Sequence, residues 1–376
     1  MSIPLKDLCE LIVDCPHSTA PDEGEGYPLI RTPNIGLGYL DLTNVHRVSK
    51  DVYDKRNARA VPQAKDLILA REAPAGNVGI IPEGEHVCLG QRTVLIRPDQ
   101  SKIDPWFLNY YLNSPDQRHH LLSSANGATV SHVNMHIIRS LPVTCPDRRE
   151  QQRIAGILKA YDKLIENSRK QIALLEEAAQ RLYKSWFIDY RNPGSTQIKK
   201  SEDVPTGKTK LGAFAAFRRG KIITAKQTKV GQIPVIAGGL SPAYYHAEAN
   251  TTAPVITVSG SGANAGYTAI HNQDIWASDC SYIDSTMTDY PYFVYLTVKI
   301  LGREFRHLQR GSAQPHVYPT HINDLEFLLP SNELLDNFEK TVANYYLLIG
   351  TLEASINAAR EARDRLLPKL MSPEEG

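Results

Sequence analysis

The sequence predicts an α+β protein: two repeated α/β domains, separated by two long helices that pair as an antiparallel coiled coil with pseudo-twofold symmetry. Three observations lead there. First, a constant offset superposes the ends of the two halves without gaps: Gly127 falls on Gly311, His132 on His316, Val133 on Val317, Ile138 on Ile322, Leu141 on Leu325 and Pro146 on Pro330. Second, each copy runs on into a heptad stripe. Third, the stretches before the stripes hold short apolar runs bounded by Gly, Pro and Asp, the pattern of strands.

The first domain spans residues 1–146. YPLIRTPNI (27–35), DLILA (66–70), VGIIP (78–82) and RTVLIRP (92–98) read as strands. Asp104-Pro105 then caps one helix over WFLNYYLNSPDQRHHLLSS. The first long helix follows in 147–190, where Gly156 is the one glycine and no proline occurs. Its stripe runs through Ile154, Leu158, Tyr161, Ile165, Ser168, Ile172, Leu175, Ala179, Leu182 and Trp186, at alternating spacings of four and three. The segment 191–210, rich in Pro, Gly, Ser and Lys, reads as the linker opening the second domain, which extends to residue 330. That domain repeats the order with APVITVSG (253–260), an aromatic stretch near Trp276 and Tyr282, and a helix near PYFVYLTVKILGREF. GSGANAG (260–266) reads as a turn. The second long helix, in 331–376, repeats the stripe as Phe338, Val342, Tyr345, Ile349, Leu352, Ile356, Ala359, Leu366 and Leu370, with Arg363 the one polar exception and Gly350 on a solvent-facing position.

Two amphipathic helices of equal length can bury each other's narrow stripe, which favours a coiled coil over packing on separate domains. From Ile154 to Trp186 such a rod spans about 48 Å at ~1.5 Å per residue.

Composition excludes several classes of function. Hydrophobic residues are 42% and charged residues 22%, so the chain folds, and no run of about 18 apolar residues offers a membrane span. The five cysteines lack metal-binding spacing, and the first residues, with Lys6, Asp7, Glu10 and Asp14, do not form a secretory signal; a cytoplasmic location is expected. A net charge of +1 argues against strong unassisted DNA binding. Residues 199–229 nevertheless hold nine Lys or Arg, either a solvated linker or a phosphate-contacting flank. Catalytic motifs are missing: there is no P-loop, no HExxH, no nucleophile elbow, no [ND]PP[YFW] tetrapeptide and no nuclease cluster. His132 and His136 have no Glu between them and read as ordinary surface or core histidines rather than a metal pair.

Recognition chemistry is easier to place. NGATVSHVN (126–134) and RGSAQPHVY (310–318) are repeat-related polar loops whose small hydroxyl and amide residues either cap helices or approach a duplex. The candidate DNA-binding residues are Asn126, Thr129, His132, Arg310, Gln314 and His316 in these loops. At predicted strand ends they are Arg31, Arg71, Gln91 and Arg92 in the first copy, and Lys226, Ser259, Ser261 and Asn264 in the second. No catalytic or metal-ligating residue is assigned.

Taken together, GATVSHVNMHIIRSLPVTCPDRREQQRIAGILKAYDKLIE and LEEAAQRLYKSWF make the chain resemble the DNA-specificity subunits of type I restriction–modification systems. Gly127, Thr129, Pro146, Glu150, Gln151 and Ile154 carry the resemblance; the second copy departs from it after Pro330, where Glu333 comes one place early and the glutamine is missing. The resemblance implies a non-catalytic, sequence-specific DNA-binding subunit with two target recognition domains, each reading half of a bipartite, asymmetric site. The coiled coil then sets the spacer, and about 48 Å corresponds to ~14 base pairs. It also implies partners: double-stranded DNA, modification (methyltransferase) subunits, two in number, carrying S-adenosylmethionine for adenine-N6 methylation, and restriction subunits carrying ATP and Mg²⁺. A stand-alone methyltransferase or nuclease with degenerate motifs, and a coiled-coil adaptor binding proteins only, are the alternatives.

Overall fold

The computed structural model describes residues 2–43, 45–123, 132–191, 207–302 and 316–371. It divides into two compact units, Met1–Glu166 with Ile356–Gly376, and Asn167–Ser355.

The first unit is built on a four-stranded antiparallel sheet in the order β2-β8-β5-β6, formed by β2 (Cys9–Asp14), β5 (Leu67–Ala70), β6 (Val78–Ile80) and β8 (Thr93–Pro98). Because successive side chains point to opposite faces, the unbroken apolar runs of β5 and β8 serve two cores. Leu67, Leu69, Val94 and Ile96 pack with Phe107, Leu108 and Tyr111. Ile68, Ala70 and Leu95 pack with Ile30 and Leu89. The latter pair belongs to a second sheet, in which β3 (Tyr27–Ile30) lies antiparallel to β4 (His46–Val48) and parallel to β7 (Cys88–Leu89). A short ribbon pairs β1 (Ser2–Pro4) with β9 (Pro142–Thr144). The expected strand over 27–35 stops at Ile30, since Thr32–Asn34 form a 3-10 turn around Pro33. The helix expected to run on from Pro105 is likewise broken. Asp104 caps it by accepting from Trp106 and Phe107 at 2.9 and 3.1 Å, it ends at Asn113, and a new helix starts at Pro115, whose ring cannot continue the first.

The second unit repeats that topology strand for strand. Its main sheet runs β11-β17-β14-β15, from β11 (Arg218–Arg219), β14 (Val255–Ser259), β15 (Thr268–His271) and β17 (Cys280–Asp284). β12 (Ile233–Ile236) lies antiparallel to β13 (Tyr244–His246) and parallel to β16 (Trp276–Ala277). β10 (Lys208–Lys210) pairs with β18 (Glu326–Leu328), so the end of the expected 191–210 linker is in fact strand. GSGANAG is a turn, with Gly262 and Gly266 at φ +75° and +83°.

Helix Arg148–Tyr183 closes in a π turn, Lys184–Ile188, and helix Asn332–Met371 is unbroken past Gly350. Each unit contains one antiparallel pair of segments cut from these two helices. In the first unit, Arg363 Nη1 donates to Asp162 Oδ1 at 2.6 Å, and Leu367, Leu370 and Met371 cover a core that includes Ile154 and Leu158. In the second, Phe338 lies 5.6 Å from Trp186 and 4.8 Å from Phe187, ring to ring, and Val342, Ile349, Ile172, Leu175 and Leu182 share one core. Ile165 and Ile356 are also buried. The expected stripe needs three corrections. Tyr183 and Tyr346 are buried where Leu182 and Tyr345 were expected to be, and Leu366 is only half-buried, because an α-helix drifts about 20° per heptad away from a strict seven-residue repeat. Arg363 is part of the helix pairing through Asp162 rather than a lapse in it. Gly350 does not face solvent; a Cβ there would come within 3.2 Å of Asn272 Cβ.

Candidate nucleic-acid interface

In the first unit four of the expected residues meet at one end of the main sheet. Arg71, Gln91, Arg92 and His132, with Asp14, His17 and Glu72, line a cavity of about 410 Å³. The position follows from the backbone: Arg71 comes directly after β5 and Arg92 directly before β8, and Arg71 N donates to Arg92 O at 2.8 Å. Val133 N donates to Arg71 O at 3.1 Å, which holds the His132-Val133 segment on the sheet end.

The side chains divide the labour. Arg71 is buried, and its guanidinium donates to Asp14 Oδ2 at 2.6 Å, to Val133 O at 2.9 Å and to His132 Nε2 at 2.6 Å. Each of its three nitrogens makes a hydrogen bond inside the chain, and through Nη2 Arg71 holds His132. An arginine can only donate, so His132 Nε2 accepts and its Nδ1–H donates to Glu72 Oε1 at 2.5 Å; the network selects one imidazole tautomer. Arg92 is different. Its side chain is 59% exposed, tethered through Nε to Glu72 Oε2 at 2.8 Å, on a backbone at φ +65° that few non-glycine residues adopt. Gln91 donates to His17 O at 3.1 Å. Arg31 lines an adjoining cavity of about 240 Å³ with Gln91 and Arg92, and its Nε is buried without a hydrogen-bond partner among the described residues.

The second unit gathers fewer of the expected residues. Ser259 and Asn264 line a cavity of about 620 Å³, together with Glu176, Glu353, Lys299 and His271. Burial pushes the Glu353 carboxyl up and the His271 imidazole down to about 4. Ser259 is buried and donates to Gly238 O at 2.9 Å, so its hydroxyl is committed. With two carboxylates against one lysine, this cavity does not suit a phosphate. Lys226 is exposed on the 3-10 turn Ala225–Gln227, outside the cavity. Ser261 and His316 form an isolated bridge on the sheet end, and the exposed His316 ring stacks on Tyr318 at 5.9 Å. Asn126, Thr129, Arg310 and Gln314 lie outside the described residues.

Sequence reasoning missed the acids Asp14 and Glu72, which set the roles of Arg71 and Arg92. Nothing in the sequence near Arg71 or Arg92 marks these partners, which lie 57 and 20 positions away in the chain. No group of three or more His, Cys, Asp or Glu among the described residues is placed to hold a metal, and no described helix is long and apolar enough to cross a membrane.

Comparisons with known proteins agree with this architecture. Residues 1–177 match the family of type I restriction modification DNA specificity domains. The chain is 24% identical to the type I restriction enzyme MjaIX specificity subunit of Methanocaldococcus jannaschii, over 98% of this chain and 92% of that one. It is 30% identical to the putative MjaX specificity subunit of the same organism, over 49% of this chain and 44% of the relative. The crystal structure of a type I restriction–modification S subunit from M. genitalium shares the fold, with a TM-score of 0.61 over 99% of this chain and 96% of that one at 16% identity. The first repeat thus matches the type I restriction modification DNA specificity domain family, and the strand order of that repeat recurs in the second unit.

Proposed function

We propose that the chain is the non-catalytic DNA reader of a type I restriction–modification complex, and that each unit reads one half of a bipartite, asymmetric duplex site. One observation carries this reading. Among the described residues the same nine-strand topology occurs twice, and both times a His-Val segment is bridged onto the end of the main sheet, through Val133 N to Arg71 O and Val317 N to Gly260 O. Two readers in one chain suit two half-sites that differ in sequence. In this reading the paired helices set the spacer. Double-stranded DNA, two modification subunits carrying S-adenosylmethionine, and restriction subunits carrying ATP and Mg²⁺ complete the complex, and adenine methylation and cleavage belong to those partners.

The test co-expresses the chain with its modification subunit and maps methylated adenines. A split motif with a fixed spacer is expected. Ala173 and Thr351 both lie on the helix segments of the second unit. Inserting seven residues after each should lengthen the spacer by about 3 base pairs, from ~10 Å of added helix. Methylation at an unchanged spacer would remove the ruler from the model.

A further inference from the structure

Strand register makes the two sheet ends comparable residue by residue. Ala70 pairs with Thr93 in the first unit, and Ser259 with Cys280 in the second. Asp14 pairs with Val94, and Arg219 with Ser281. The next hydrogen bond is also shared: Cys15 N donates to Thr93 O at 3.1 Å, and Gly220 N to Cys280 O at 2.9 Å. Asp14 therefore corresponds to Arg219, Arg71 to Gly260, Glu72 to Ser261 and Arg92 to Asp279. At this end of the sheet every charged side chain of the first unit is replaced by one of opposite sign or by none.

The guanidinium is nevertheless retained. Gly260 has no side chain, and the atoms nearest to a Cβ built there are Arg219 Nη1 and Val317 O, both at 3.6 Å. Arg219, arriving from the neighbouring strand, thus occupies the side of the sheet end where Arg71 stands in the first unit. Its Nη2 donates to Asp279 Oδ1, and Ser261 Oγ donates to Asp279 Oδ2 at 3.5 Å. The two guanidinium groups differ in access: the Arg71 side chain is 8% exposed, and that of Arg219 is 41% exposed. Arg218 and Lys221 beside it are exposed as well.

We infer that Arg219 is the cation by which the second unit contacts a duplex phosphate, with Asp279 as its positioning residue, in the place that Arg92 and Glu72 hold in the first unit. One guanidinium in the second unit then does what two do in the first: it fills the space beside the His-Val segment and faces outward. This rests on the DNA-reading function proposed above and adds a residue to it. An acid is needed at position 279 because Arg219 projects from a two-residue strand, and the carboxylate fixes the direction of its fork.

The experiment uses the full chain assembled with its modification subunit, and duplexes carrying the methylated motif found for the parent. Binding is measured across salt concentrations for the parent, Arg219→Ala, Arg219→Lys and Asp279→Asn, with thermal unfolding in parallel. Arg219→Ala is expected to weaken binding about 10-fold and to lower the slope of log affinity against log salt by about one, which is one phosphate contact. Arg219→Lys should keep the parent slope, and Asp279→Asn should weaken binding with the slope retained. An Arg219→Ala complex with the parent slope, whether or not its melting temperature falls, overturns the assignment while leaving DNA reading intact. Failure of the parent to bind any duplex overturns the functional reading itself.

Discussion

Glu339 accepts the backbone N–H groups of Tyr292 and Phe293 at 2.8 and 3.1 Å, while burial pushes its carboxyl up from 4.5 to about 7. Its protonated form is therefore favoured by folding. The contribution is fully present below pH 4.5 and is lost as the pH rises towards 7, because the unfolded chain releases the proton first. His271 behaves the other way. Burial beside Thr257 lowers its imidazole from 6.5 to about 4, so the stability it confers is present above pH 6.5 and is lost as the pH falls towards 4. In thermal unfolding between pH 4.5 and 6.5, Glu339→Gln should gain on the parent as the pH rises, and His271→Gln should gain as the pH falls. Differences from the parent that do not vary with pH would show that neither group is titrating across that window.

At the scale of elements, both domain helices need an N-terminal acceptor, and the two units supply it differently. Asp104 caps the first helix directly, and Gln151, buried on the first long helix, braces it by accepting from Asp104 N at 2.7 Å and donating to Pro146 O at 2.9 Å. The second unit has Tyr290 at the cap position and Leu335 at the place equivalent to Gln151, and it takes its acceptor from Glu339, one turn further along the last helix. The missing glutamine of the second copy is thus compensated by geometry. The buried stripe also drifts around the long helices. Tyr183 is 4% exposed, bonds Thr297 Oγ1 at 2.9 Å and packs on Phe293 and Phe338. Leu182 is only partly buried. Tyr183→Ala should cost about 3–5 kcal/mol and Leu182→Ala less than about 2, measured by denaturant unfolding. Equal costs would restore the strict heptad.

For the whole molecule, the consequence lies in how sequence maps onto units. Residues 356–376 end the chain but belong to the unit that contains its start. Truncation after Ser355 removes the Arg363–Asp162 pair and the Leu367, Leu370 and Met371 side chains that pack against the first core. Amide exchange should then accelerate in the sheet of residues 9–98, while β14 and β17 in the second unit keep their protection. Equal protection of both sheets after truncation would contradict this division.

Repetition, the two long helices and the family resemblance were legible in the chain, because periodicity and a constant offset can be read without knowing any contact; the stop at Ile30, the break at Pro115 and strand β10 were not. Arg71, Gln91 and Arg92 were legible as strand-end residues and His132 as a loop residue, but only the fold shows that the four line one cavity. Which of two arginines is buried, which acid holds each, and how Arg219 and Asp279 stand in for residues of other strands were decided only by tertiary structure. A hydrogen bond between neighbouring strands joins residues far apart in sequence, and pairing register alone determines which side chains meet there.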